Sequence, residues 1–81
     1  MAGKAPTFEI PTLPNAKVAI ISARWHREIC QSMVDGAKRA LSIAGINSPR
    51  LVEVAGSYEL PLAAKYALDA GADAAIVLGV V

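Results

Sequence analysis

Cysteine, aromatic residues and clustered charge are all scarce in this 81-residue chain. Cys30 is the only cysteine, so no disulfide can form within the chain, and a reducing, cytoplasmic setting is expected. Aromatic side chains make up only 5% of the residues, so a core must be built from Ala, Val, Ile and Leu. The net charge of +1 and the absence of a basic cluster argue against nucleic acid as the main partner.

Long apolar runs and the common cofactor motifs are missing as well. No run reaches the roughly 18 apolar residues that span a membrane, and residues 1–15 lack the apolar stretch of a secretory signal. One histidine and one cysteine are too few for a metal site, which needs several convergent ligands. Neither a G-x-G-x-x-G nor a G-K-S/T loop is present, so nucleotide binding of these kinds is unsupported.

What is present has the pattern of one small α/β domain preceded by an arm. Residues 1–16 contain three prolines and predict an extended arm, in which Thr7-Phe8-Glu9-Ile10 would form a short strand on an exposed sheet edge, including that of another subunit. Residues 17–81 then alternate between apolar runs and amphipathic segments. The predicted strands are residues 17–22, 50–55 and 74–81, and the predicted helices are residues 27–44 and 59–70. This βαβαβ order predicts a parallel sheet with right-handed crossovers.

The predicted helices have clear faces and ends. An apolar stripe with a period of 3.6 residues marks the buried side of the first helix, and Gly45 and Gly71 are natural stops for the two helices. Ser57 is a candidate N-cap for the second helix, and Pro61 is tolerated in its first turn. The stripe consists of Cys30, Met33, Val34, Ala37, Ala40, Leu41 and Ala44.

Each strand is followed by a short loop, and parallel strands place these loops at one edge of the sheet, where open α/β folds bind ligands. Trp25 in the first loop is expected to be half exposed, either stacking on a flat heterocycle or packing over the helix start. His26 is expected to be solvated or to cap the helix, and Cys30 to be a buried, inert thiol.

The second and third loops offer polar groups. Gly56-Ser57-Tyr58-Glu59 opens a helix, where backbone N–H groups, a hydroxyl and a carboxylate could together hold a polyol. Helix capping by Ser57 and a first-turn carboxylate at Glu59 explain the same residues without a ligand. Gly79-Val80-Val81 presents backbone donors and acceptors that are suited to the edge of a pyrimidine.

Three motifs together resemble the 6,7-dimethyl-8-ribityllumazine synthase family. They are Ser22-Ala23-Arg24-Trp25-His26, Gly56-Ser57-Tyr58-Glu59-Leu60-Pro61 and Leu78-Gly79-Val80-Val81, in matching order and spacing over residues 17–81. The resemblance implies a flavodoxin-like three-layer α/β/α fold with a central parallel sheet. It also implies a cytoplasmic transferase of riboflavin biosynthesis that assembles into pentamers, decamers or icosahedral shells of sixty subunits.

The activity implied by the resemblance is condensation of 5-amino-6-(D-ribitylamino)uracil with 3,4-dihydroxy-2-butanone 4-phosphate, without a metal or organic cofactor. Trp25 would stack on the pyrimidine, while Val80 and Val81 would contact it through backbone groups. Ser57 and Tyr58 would hold the same substrate, and Glu59 would bind its ribityl chain. No nucleic acid or membrane partner is implied.

The 81 residues do not include the Arg-Gly-x-Thr-x-His segment that follows the third strand in this family, binds phosphate and supplies the proton-transferring histidine. No catalytic residue is therefore assigned within the chain, which represents the first half of the domain and is expected to turn over poorly. The alternative is a ligand-binding or shell-assembly module of the same fold without catalysis. A flavodoxin-like flavin or signalling domain fits less well, because residues 22–26 are neither hydroxyl-rich nor acidic.

Overall fold

The computed structural model describes residues 12–80. Within them lie three strands and two helices that alternate along the chain, as the sequence predicts. The strands are β1 (Val18–Ala23), β2 (Arg50–Val54) and β3 (Ala74–Leu78), and the helices are α1 (Arg27–Ile43) and α2 (Leu60–Asp69). The short strand predicted at Thr7-Phe8-Glu9-Ile10 lies outside the described residues, as does Val81.

The three strands form one parallel sheet in the order β2-β1-β3. In this register Ser22 of β1 lies level with Glu53 of β2 and with Leu78 of β3, so the three strands end at nearly the same height. One helix covers each face, which gives the three layers of a flavodoxin-like α/β fold. No helix in the described part of the chain is both long and apolar enough to cross a membrane.

Strand β1 is the centre of the core because it has neighbours on both edges and a helix on each face. Ile20 and Ile21 point to opposite faces and are 1% and 0% exposed, which confirms the burial on both sides that the continuous apolar run predicts. On one face Ile21 packs with Leu60 and Ala67 of α2. The opposite face carries a second cluster, formed by Val18, Ala44 and Ile46 with Leu41 and Ile76 packed against it.

Strands β2 and β3 are the two edges of the sheet within residues 12–80, and they are only partly covered. The apolar run over residues 74–81 predicts one long strand in the middle of the sheet. Instead β3 ends at Leu78, and Val77 is 44% exposed. The difference follows from strand order, because a continuous apolar run shows a preference for burial but does not show which strand occupies the centre.

Helix α1 begins at Arg27 as predicted and ends one residue earlier than expected, at Ile43. Gly45 follows with a φ of +90°, and its N–H donates to the Ser42 carbonyl, which confirms it as the helix stop. Pro14 packs against Gly45, and the Leu13 N–H donates to the Ala44 carbonyl at 2.8 Å. The described end of the N-terminal segment therefore turns against the end of α1.

The second helix starts differently from the prediction. A single 3₁₀ turn over Ser57–Glu59 precedes α2, and Pro61 lies in the first turn of the helix, as predicted. The prediction of Ser57 as an N-cap is wrong, because no side chain caps either segment. The Ser57 hydroxyl instead donates to the Val80 carbonyl, a tertiary contact that competes with the local cap.

Candidate functional site

The loops that follow β1, β2 and β3 lie at the carboxyl edge of the sheet, as the sequence predicts. This edge is built by the register, which levels Ala23 with Val54 and Ser22 with Leu78. The β1 loop lies between the other two because β1 is the central strand. In open parallel sheets this is the position at which ligands bind.

The β1 loop is tied to β2 through backbone and side chain. The Arg24 N–H donates to the Val54 carbonyl at 2.8 Å, which continues the sheet pairing by one residue. The Glu53 carboxylate lies 3.6 Å from Nε of Arg24 and 3.7 Å from Nη2 of Arg27. These groups are half exposed or more, so each ion pair contributes little to stability, about 0–1 kcal/mol.

Trp25 presents its ring to solvent from this loop. Its side chain is 64% exposed, in line with the expectation of an accessible ring. The His26 ring meets the indole at 76°, with 5.3 Å between ring centroids, an edge-to-face arrangement. Behind them the Cys30 thiol is buried and donates to the Trp25 carbonyl at 3.3 Å, which confirms the predicted burial of this cysteine.

Ser57 and Val80 come together across the end of β1. Strands β2 and β3 are about 10 Å apart, because β1 separates them. The 3₁₀ turn after β2 bridges this gap, and the Ser57 Oγ lies 3.3 Å from the Val80 carbonyl oxygen. Gly79 makes the approach possible, since a Cβ at this position would lie 2.7 Å from both Ser57 Oγ and Leu60 Cδ1.

Tyr58 and Glu59 face solvent from the same turn. Tyr58 is 99% exposed and Glu59 is exposed as well, so neither is held in a core contact. The Glu59 carboxylate lies over Gly56, where a Cβ would be 3.4 Å from its Oε2. A hydroxyl, a phenol and a carboxylate are therefore displayed beside the Ser57–Val80 contact, and all three can take part in hydrogen bonds to a polyol.

The predicted site residues form an exposed edge rather than an enclosed pocket. An apolar groove of about 470 Å³ lies elsewhere, against α1 and β3, where Leu13, Leu41 and Ile76 are among its lining residues. A smaller groove of about 320 Å³ lies at the opposite, amino end of the strands, beside Lys17 and Arg50. Within residues 12–80 the candidate site is thus open to solvent and offers one face to a ligand.

Two features of the edge are not apparent from sequence reasoning. One is the pairing of Glu53 with Arg24 and Arg27. The sequence signal that could have indicated it is the single carboxylate within the apolar strand β2. The other is the backbone of His26, which has a φ of 54° and a ψ of 57° and lies immediately before α1. No sequence signal marks this left-handed conformation beyond the tolerance that histidine shows for it.

Comparisons with known proteins identify related sequences. The family described as 6,7-dimethyl-8-ribityllumazine synthase matches residues 15–81. Proteins of that name from Streptomyces avermitilis and Streptomyces coelicolor are 45% and 44% identical to this chain over its whole length. The one from Clavibacter michiganensis is 46% identical over 80% of the chain.

The chain spans about half the length of these relatives, 51% for both Streptomyces proteins. The family match covers all three strands, both helices and the loops at the carboxyl edge of the sheet. On the strength of that match and of these identities, the chain belongs to the 6,7-dimethyl-8-ribityllumazine synthase family.

Proposed function

We propose that this chain forms the pyrimidine- and ribityl-binding half of a lumazine synthase active site. The reaction is the condensation of 5-amino-6-(D-ribitylamino)uracil with 3,4-dihydroxy-2-butanone 4-phosphate in riboflavin biosynthesis, a transferase activity. The observation that carries the proposal is that an exposed Trp25 and the Ser57–Val80 contact both lie at the carboxyl edge of the sheet. An aromatic face beside hydrogen-bonding groups suits a ribitylated pyrimidine.

The pyrimidine would lie against the indole of Trp25. A flat heterocycle stacks well on an exposed aromatic face, and backbone groups of Val80 and Val81 would satisfy its polar edge. The Ser57 hydroxyl proton is directed at the Val80 carbonyl, so the lone pairs of Ser57 Oγ remain for a donor on the substrate. Ser57 would then both fix the end of β3 and accept a hydrogen bond.

The ribityl chain would extend along the 3₁₀ turn. Glu59 and Tyr58 are exposed there, and a carboxylate accepts hydrogen bonds from neighbouring hydroxyls of a polyol more strongly than a neutral group does. Glu59 is therefore the residue we assign to the ribityl hydroxyls, with Tyr58 beside it.

Catalysis would rest largely on holding two substrates together. The 5-amino group of the uracil attacks the ketone carbonyl to form an imine with release of water, and loss of phosphate leaves an enol that tautomerises to a second carbonyl. The 6-ribitylamino nitrogen attacks this carbonyl, and a second water leaves as the ring closes to the lumazine. Proximity and orientation lower the barrier of such a bimolecular condensation substantially. No metal or organic cofactor enters this scheme, and no catalytic residue is assigned within the 81 residues.

The alternative is a ligand-binding or shell-assembly module that does not turn over its ligand. The exposure of Trp25 and Tyr58 is compatible with this alternative, because binding alone does not require exclusion of water. Turnover of both substrates by the chain would exclude the alternative. Binding without turnover is expected under both functions, because no catalytic residue is assigned within the 81 residues.

We further propose that the protein self-associates, into pentamers or larger shells, in the cytoplasm. The partly exposed strands β2 and β3 and several exposed apolar side chains support association. The buried, unpaired thiol of Cys30 is compatible with a reducing compartment. The arm at residues 1–16 is a candidate for exchange between subunits.

The first test is a fluorescence titration of Trp25, the sole tryptophan, with 6-(D-ribitylamino)uracil, which lacks the reactive 5-amino group. We expect saturable quenching that is reversed by an excess of a ribitylated competitor without overlapping absorbance. The absence of quenching in a folded sample would exclude Trp25 as the stacking surface.

A second titration assigns Glu59. The Glu59→Ala variant should lose affinity for 6-(D-ribitylamino)uracil, by roughly tenfold to a hundredfold for a lost charged hydrogen bond, and should bind 6-(methylamino)uracil as the unchanged protein does. Equal losses for both ligands would show that the substitution damages the fold rather than ribityl recognition.

A further inference from the structure

His26 has a backbone conformation that side chains other than glycine rarely adopt. Its φ of 54° and ψ of 57° lie in the left-handed region, and no other non-glycine residue among residues 12–80 has a positive φ. Histidine, asparagine and aspartate are enriched in this region, so the cost at position 26 is modest. The conformation reverses the chain between β1 and α1.

The backbone around His26 is fixed at both ends. The Arg24 N–H donates to Val54 of β2, and the Cys30 N–H donates to the His26 carbonyl at 3.0 Å. The Cys30 thiol donates to the Trp25 carbonyl from below. The main chains of Arg24, Trp25 and His26 are thereby each held by a hydrogen bond. Trp25 can therefore move mainly by rotation about its side-chain torsions.

The His26 ring is the aromatic neighbour of the exposed indole. The two centroids are 5.3 Å apart and the rings are inclined at 76°, so one ring presents its edge to the other. An edge-to-face contact restricts one side of the indole, whereas a stacked contact would cover the face that a ligand needs. His26 contacts the indole without stacking on it, and Trp25 stays 64% exposed.

We propose that His26 is a positioning residue for Trp25, which holds the indole through its ring and turns the loop through its left-handed backbone. This inference rests on the stacking role of Trp25 under the proposed function. It assigns no proton transfer to His26. The contact between the rings limits motion of the indole before the ligand binds. Less conformational entropy is then lost on binding, and this preorganisation strengthens binding of the pyrimidine.

Substitutions at position 26 distinguish the contribution of the His26 ring from that of its left-handed backbone. His26→Asn and His26→Gly keep residues that tolerate a positive φ but remove the aromatic contact. His26→Phe keeps an aromatic ring at the cost of strain in the same backbone. Each variant is made in the full 81-residue chain, and thermal unfolding by circular dichroism reports its stability.

The decisive readout is the time-resolved fluorescence anisotropy of Trp25 without ligand. We expect the fast component, which reports local motion of the indole, to grow in His26→Asn and to stay near its original amplitude in His26→Phe. Affinity for 6-(D-ribitylamino)uracil, followed by the quenching of Trp25, should fall roughly threefold to tenfold in His26→Asn and less in His26→Phe. The melting temperature of His26→Asn should change little, which separates positioning from a general loss of stability.

Unchanged anisotropy in both His26→Asn and His26→Gly overturns the inference, whatever the ligand does. A larger fast component with unchanged affinity overturns it as well, because the contact then positions nothing that binding uses. A failure of the proposed function has a different signature. In that case the unsubstituted chain shows no quenching by the ligand, while the anisotropy still reports the contact between the rings.

Discussion

Trp25 carries the most direct prediction at the scale of single residues. Trp25 is 64% exposed and lies at the same edge of the sheet as the turn that bears Ser57, Tyr58 and Glu59, so removal of its ring should affect binding more than folding. We expect Trp25→Ala to weaken binding of 6-(D-ribitylamino)uracil by roughly 1–2 kcal/mol. Isothermal titration calorimetry measures this, because the variant has no fluorescent tryptophan.

Trp25→Phe is the matched control, since it keeps an aromatic face at the same position. It should recover most of the affinity lost in Trp25→Ala. Equal affinity of Trp25→Ala and the unsubstituted protein, with both folded, contradicts the stacking role.

Gly79 supports the second half of the site by its lack of a side chain. A Cβ there would be 2.7 Å from Ser57 Oγ and from Leu60 Cδ1, a separation that forces both groups to move. We expect Gly79→Ala to lower the free energy of unfolding by about 1–3 kcal/mol through overpacking. Urea unfolding followed by circular dichroism measures the change.

Gly56→Ala is the control for this effect within the same edge. A Cβ at Gly56 meets only the flexible carboxylate of Glu59, at 3.4 Å, and the backbone there is extended. Its free energy of unfolding should change by less than about 0.5 kcal/mol, as for an ordinary surface substitution. Similar losses in the two variants would contradict the role assigned to close packing at Gly79.

At the scale of secondary-structure elements, the glycine within α1 and the glycine just after it have opposite requirements. Gly36 lies within the helix, where alanine is favoured by about 1 kcal/mol, and a Cβ there has no neighbour nearer than 3.6 Å. Gly45 ends the helix with a φ of +90°, which alanine adopts only with strain.

We therefore expect Gly36→Ala to raise the free energy of unfolding by about 0.5–1 kcal/mol and Gly45→Ala to lower it by about 1 kcal/mol or more. Thermal unfolding of both variants under one set of conditions measures the two changes. Stabilisation by both substitutions would show that the positive φ at Gly45 is not required by the fold.

At the scale of the whole molecule, the small core is flanked by two sheet edges. Val77 on β3 is 44% exposed and Leu51 on β2 is 52% exposed, so apolar side chains reach solvent at both edges. Exposed apolar side chains at the edge of a sheet favour association. The proposed self-association would bury these apolar side chains.

Analytical ultracentrifugation tests this association directly. We expect species heavier than the 8.4 kDa monomer at micromolar concentration, and we expect Val77→Lys to shift the distribution towards monomer because a lysine blunts an edge strand. Ile43→Lys, at an exposed position on α1, is the control and should have a smaller effect. A purely monomeric chain at high concentration contradicts the proposal.

The order of the elements follows from the sequence because each signal is local. Apolar runs, the stripe on α1 and the glycine at position 45 act within a few residues, so three strands and two helices are predicted and confirmed. The end of β3 and the cap at Ser57 are predicted less well. Both depend on contacts between distant positions, such as the hydrogen bond from Ser57 to Val80, which lie 23 residues apart.

By itself, the sequence determines the βαβαβ order, the composition of the core and the position of the three site loops after strand ends. These depend on hydrophobic periodicity and turn chemistry, which are properties of neighbouring residues. The tertiary structure alone decides that β1 is the central strand, that Ser57 reaches across it to Val80, and that His26 adopts a left-handed backbone beside Trp25. The physical reason is that strand order and loop conformation depend on the free energy of the whole folded chain. In that free energy, close packing and buried hydrogen bonds outweigh the conformational preferences of short segments.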